Sequence, residues 1–252
     1  MAIVYWTKLR LLASVVGLVG AWGVLQALAG LPALFSRQPV PNLVYRNDQR
    51  LPPLDALEQL RTAFPSNLAT VLGFLLLAIL LGILFFGLLP RLYSDAPVRT
   101  LLAALFLGGS VLAVVPLALT ILKVSEFGFQ ATVATPEEGR WLEGGVTFLN
   151  QLHLIFVHSW FLLSGLGWIS LGLAAQSGPA LRRWSGAVAL SGGGAVVSGE
   201  ILRAWLPKFG ETVPMMVAAS EAMLVDGGMA LGFLGTGLLA WFVSTPVGVA
   251  DA

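Results

Sequence analysis

The sequence of 252 residues contains no cysteine. Disulfides, thiolate metal sites, thioether-linked haem and a cysteine nucleophile are therefore excluded. Charge is scarce as well. Asp, Glu, Lys and Arg make up 11% of the chain, against about 25% in a soluble domain. So little charge cannot cover a water-facing surface, and most of the surface must face lipid. The 14 Lys+Arg and 13 Asp+Glu nearly cancel, which removes any basis for a nucleic-acid partner or a polybasic lipid-binding tail. Histidine occurs only at His153 and His158, both on one apolar segment, which argues against a haem held between two helices. The last two apolar segments carry no lysine, so a retinal-type Schiff base is ruled out there.

What the chain does have is apolar length. Hydrophobic residues make up 57% of it, glycine occurs 29 times, and the mean hydropathy is +0.85. Six segments reach the roughly 20 residues needed to cross a bilayer, at about 11–35, 66–89, 99–122, 147–175, 185–206 and 214–243. The expected fold is all-α: a polytopic transmembrane bundle of six spans in one integral membrane domain. Lys8, Arg10 and the small residues Ala27-Leu28-Ala29 imitate a cleavable leader. The apolar run to Phe35 exceeds the roughly 7–15 residues of a leader core, so it reads as a retained first span.

Short connections make spans two and three, and spans four and five, antiparallel hairpins. Lys8, Arg10, Arg91, Arg99, Arg182 and Arg183 all fall in short segments on one side. The positive-inside rule then places both termini in the cytoplasm of a cell membrane, the inner one where there are two. In the first outer loop, Leu54, Leu57 and Leu60 alternate with Asp55, Glu58 and Arg61, the pattern of a short interfacial helix. Before the fourth span, Thr135-Pro136-Glu137-Glu138 spells a capping box and starts that helix near Pro136, outside the membrane. Pro116 predicts a kink in the third span. Gly228-x-x-x-Gly232 is a close-approach motif, and Gly227-Gly228 loosens the helix beside Asp226.

The candidate site is a set of ionisable groups inside the spans, where charge is rare and marks function by default. At about 1.5 Å rise per residue, His158, Glu200 and Asp226 lie roughly 22–25 Å from the cytoplasmic ends of spans four, five and six. His153, Arg203 and Glu221 fall slightly higher, and together the six form a polar funnel opening outward. Glu200 and Arg203, three apart, share a helix face and can pair. Glu221 and Asp226 are five apart, as are His153 and His158, so neither pair can point one way. That spacing excludes a His-Glu-x-x-His zinc site, and no metal is assigned. His158 is the expected neutralising partner of Asp226. Ser164-Gly165 and Ser198-Gly199 lack the setting of a serine nucleophile and read as packing residues.

Several features together resemble a bacterial family of six-helix membrane proteins catalogued as a domain of unknown function. They are Arg91 in the second connection, Leu152-His153, Ser177-Gly178-x-x-x-Arg182, Trp184-x-Gly186, Arg203-x-x-Leu206-Pro207 and Glu221. Ser220 precedes Glu221 where the family pattern has glycine. The resemblance implies topology and lends no activity. The leading functional expectation is a ligand-binding or accessory subunit of a membrane assembly, with the lipid bilayer and other membrane subunits as partners. The alternatives are a membrane enzyme or redox protein using His158, Glu200 and Asp226 as metal ligands or proton carriers, and a small transporter. No particular cofactor is indicated.

Overall fold

The computed structural model describes residues 2–41, 64–131, 135–210 and 212–243. Helices α1 (Ala2–Ala29), α2 (Phe64–Tyr93), α3 (Pro97–Ala131), α4 (Pro136–Ala175) and α5 (Ala180–Trp205) are followed by α6 (Met215–Ala222). A π-helical turn, Met223–Gly227, joins α6 to α7 (Gly228–Val243). Six helical stretches are long and apolar enough to cross a membrane: Lys8–Phe35, Leu75–Tyr93, Pro97–Lys123, Glu137–Ala175, Ala180–Phe209 and Met215–Val243. The chain is an all-α, multi-span membrane protein. The interfacial helix expected around Leu54–Arg61 lies outside the described residues.

The last span is the axis of the bundle. In lipid, helices gain little from burying leucine against leucine, so they associate through close packing at small residues. A methyl group on Gly192 of α5 would run into the backbone nitrogen of Gly232, and one on Gly228 would lie 2.8 Å from the Gly192 carbonyl oxygen. Across α7, a methyl on Gly237 would stand 2.6 Å from the backbone nitrogen of Gly17 in α1. Gly232 also admits Trp168 of α4, which is 1% exposed and meets Phe233 edge-on at 5.2 Å. Trp168 therefore belongs to the core, whereas Trp22, Trp141 and Trp184 stay exposed. Ser110 of α3 and Ser164 of α4 share a buried hydrogen bond of 2.8 Å, so Ser164 serves helix contact.

The two ends of the bundle are tied differently. At the ribbon end, expected above to face outward, β1 (Pro39–Pro41) pairs antiparallel with β2 (Thr212–Pro214). The Gln38 and Ser36 carbonyls accept from the Met215 and Met216 amides at 2.8 and 3.0 Å. Two amides that α6 leaves without helical partners are thus satisfied by the segment after α1. Also at this end, the capping box starts α4 as anticipated, with Thr135 accepting from the Glu138 amide. Helix α3 continues through Pro116 to Ala131, past the expected end of the third span near residue 122, so helix fills much of the connection before Pro136.

At the other, arginine end, guanidinium groups cap helix C-termini, where unpaired carbonyls and the helix dipole favour cations. Arg91 donates to the Val243 carbonyl, Arg99 to Leu173 at 3.1 Å, and Arg182 to Ala174 at 3.4 Å. Arg182 also reaches back to Asp95 in the second connection, Nη1 to Oδ2 at 2.5 Å. The residues that predict orientation therefore also lock neighbouring hairpins together. That guanidinium, with the Ser94 hydroxyl, holds the Asp95 carboxyl below the usual carboxylate range.

Two outcomes are expected. Gly192→Ala should lower the thermal midpoint in detergent, since overpacking costs about 1–3 kcal/mol. Gly194→Ala, where a methyl meets nothing within 4 Å, should leave it unchanged or raise it. Equal midpoints for the two variants would remove the backbone contact from this account. For Asp95, the folded state holds the carboxyl below its unfolded value of about 3.9. Its contribution is present above that value and is lost as pH falls through the lowered folded pKa. Asp95→Asn should therefore narrow the stability gap to wild type on acidification, read as thermal midpoints from about pH 6 down to about pH 3.

Candidate functional site

Glu200 and Arg203 lie one helical turn apart near the C-terminal end of α5, and their side chains meet as the spacing requires. Arg203 Nη1 donates to Glu200 Oε1 at 3.1 Å. The other oxygen of Glu200 is taken by α4, where His158 Nδ1 stands 2.6 Å from Oε2. Arg203 turns its remaining donors to α6: Nε donates to Glu221 Oε1 at 2.6 Å, and Nη2 bonds the same oxygen. His158, Glu200, Arg203 and Glu221 thus form one continuous chain across three helices. Glu200 is 6% exposed and Glu221 8%, so each carboxylate depends on its partners for charge compensation. Beneath Arg203, the Phe161 ring lies 5.5 Å from the guanidinium carbon. Phe161 is three residues after His158, on the same face of α4, so one helical turn supplies both the imidazole and the aromatic support.

His153 stands apart from this chain. Its Nδ1 lies 3.2 Å from Thr120 Oγ1 on α3, and that hydroxyl also bonds the Leu117 carbonyl at 2.8 Å. The hydroxyl has one proton, which goes to Leu117, so Nδ1–H of His153 must donate to the hydroxyl oxygen. His153 therefore links α4 to α3. The five-residue offset from His158 foretold this separation.

Asp226 occupies a third position. It sits on the π-helical turn, is exposed, and makes no hydrogen bond or ion pair among the described residues; it feels Arg203 only at longer range. The expected pairing with His158 is replaced, because Glu200 takes that imidazole. Asp226 lines a cavity of about 520 Å³ between α1, α2, α4 and the last span. Trp22, Gln26, Trp160 and Phe161 share that wall. Phe161 is thus the partition, with the ion-pair chain on one side and the cavity on the other. The expected loosening at Gly227-Gly228 takes the form of this π-turn, a kind of insertion frequent at functional sites. No apolar periodicity flags Trp160, Phe161 or Gln26 as cavity residues. The one available signal was the position of Phe161 one turn after His158.

Among the described residues, no three His, Asp or Glu side chains converge on a point where a metal ion could be held. What the arrangement offers is a fixed salt-bridge chain beside an uncompensated carboxylate facing an apolar, aromatic hollow.

The chain and the free carboxylate should separate in stability measurements. Arg203→Gln leaves Glu200 and Glu221 buried without their cation, and removal of one partner from a buried pair costs about 3–5 kcal/mol. Asp226→Asn breaks no bond and should leave the detergent thermal midpoint within error of wild type. A large loss in Asp226→Asn would place that residue in the structural framework. Comparison of the chain with protein-family models, curated proteins and solved structures finds no match, and what stands is a multi-span membrane protein of six apolar helices.

Proposed function

We propose that this protein is a ligand-binding or accessory subunit of a membrane assembly, with its intramembrane pocket near the ribbon end. One observation carries the reading. Four of the ionisable side chains satisfy one another, while the remaining carboxylate of Asp226 faces a cavity of about 520 Å³. A cavity of that size is in the usual range for small-molecule sites, about 300–1,000 Å³. A charged group kept in an apolar setting without a partner is costly, so it marks where a partner arrives. The arginine clusters on the opposite end support a topology with both termini cytoplasmic. The resemblance to a bacterial six-helix family is in keeping with that topology and with a cell membrane as its setting.

Native mass spectrometry of the gently extracted full chain tests this reading. Wild type should carry a bound small molecule or a fixed partner chain. Ala27→Trp, which fills the cavity from α1, should lose it while remaining folded. A wild type that carries no added mass in any preparation would end the proposal.

A further inference from the structure

The pocket's own chemistry narrows the occupant, granted the reading of it as a binding site. Three carboxylates, Glu200, Glu221 and Asp226, face one guanidinium and one imidazole in this region. Among the described residues, the bonding pattern satisfies Glu200 and Glu221 with His158 and Arg203 and leaves Asp226 without a partner. A bare carboxylate in a low-dielectric setting calls for a cation. Arg203 turns all three of its nitrogens to Glu200 and Glu221 and makes no bond to Asp226. An anionic group entering the cavity would meet Asp226, and no Lys or Arg is among the described residues that line it.

The remaining walls are suited to an organic cation. Trp22 and Trp160 line the cavity together with Asp226, and an ammonium beside these rings gains electrostatically, more so when desolvated. Phe161, stacked on Trp160 at 5.1 Å and faced by Arg203, closes the wall behind them. Gln26 adds an amide that can donate to phosphate or ester oxygens. Entry is from the lipid side. Helix α1 meets α7 along a narrow glycine stripe, and Trp22 on its cavity side is 64% exposed. By helix rise Asp226 lies roughly 8 Å below the ribbon-end surface of a core about 30 Å thick, close to headgroup depth. Leu77 and Phe233 continue the wall with apolar surface suited to the first part of an acyl chain.

We propose that the cavity binds an ammonium-headed membrane phospholipid of the ethanolamine type. Its ammonium sits against the Asp226 carboxylate beside Trp22 and Trp160, and its chains run out along α1 into the bilayer. The lipid supplies the cation that Asp226 lacks.

The test is native mass spectrometry of the delipidated full chain titrated with dioleoyl phosphatidylethanolamine, dioleoyl phosphatidylglycerol or soluble ethanolamine. Wild type should bind one ethanolamine lipid about tenfold more tightly than the glycerol lipid, roughly the worth of one charge-specific contact. Asp226→Asn should erase that preference while keeping a wild-type thermal midpoint, and Trp22→Leu should weaken it several-fold. Equal binding of the two lipids, or a preference retained in Asp226→Asn, overturns the proposal. So does ethanolamine binding as tightly as the lipid, which would make the ligand aqueous. If wild type carries some other mass that Ala27→Trp removes, the pocket stands and the lipid assignment falls. A second copy of the chain as that mass has the same effect. If Ala27→Trp removes nothing because nothing was bound, both readings fall.

Discussion

Lipid tails are as apolar as the leucines they surround, so a helix in a bilayer gains little by exchanging lipid for a leucine-rich neighbour. What holds α7 in place is contact of backbone with backbone, through Gly17 and Gly20 of α1 on one side and Gly192 of α5 on the other. A methyl on Gly20 would stand 2.7 Å from the Ala230 carbonyl oxygen, so α1 too is seated at van der Waals limit along its stripe. The consequence reaches the pocket. Because α1 is bound along that stripe, its remaining surface stays in lipid, and its cavity-facing side chains form one wall of a hollow that opens sideways. The glycines thus set both the compactness of α5–α7 and the gap beside α1.

The same packing dictates the electrostatics. With α4, α5 and α6 held at fixed rotation, Glu200 has His158 on one oxygen and Arg203 on the other, and Arg203 is left to satisfy Glu221 as well. One guanidinium shared by two carboxylates is a rigid arrangement, since moving any helix breaks more than one charge-assisted bond. At the arginine end, Arg91, Arg99 and Arg182 anchor their hairpins to backbone carbonyls. The ribbon end is tied by Pro39–Pro41 against Thr212–Pro214, which joins the exit of α1 to the entry of the last span. The ribbon thus ties α1 to the last span at one end of the cavity, while Arg91 holds the other end of the last span to α2.

How much of this was legible in the sequence depends on whether a feature is local. The six spans, the capping box at Thr135, the Glu200–Arg203 pair and the separation of His153 from His158 are matters of spacing along one helix, and spacing is written in the chain. Gly227-Gly228 announced a weak point, and a π-turn lies there. Pairing between helices is different. It depends on the rotation of each helix about its axis, which no single segment encodes. Equal depth suggested His158 with Asp226, yet rotation presents Glu200 to the imidazole and Glu221 to Arg203. The length of α3 escaped for another reason: the apolar run that bounds the third span ends near residue 122, while the helix continues through polar residues to Ala131.

Fold stability accounts for four of the intramembrane charges and leaves one without explanation. His158, Glu200, Arg203 and Glu221 fix the mutual rotation of α4, α5 and α6, and each is matched by a bond. Asp226 contributes no bond to that framework, and an acidic residue at the centre of a membrane helix costs about 2.5–3.5 kcal/mol on insertion scales, less near the interface. Among the described residues, nothing in the fold makes use of a carboxylate at this place. It is also the residue that the π-turn presents to the hollow, with Phe161 separating it from the compensated chain. A cost that buys no contact within the fold, at the rim of a hollow walled by Trp22 and Trp160, is explained when the contact is made with something that enters from outside it.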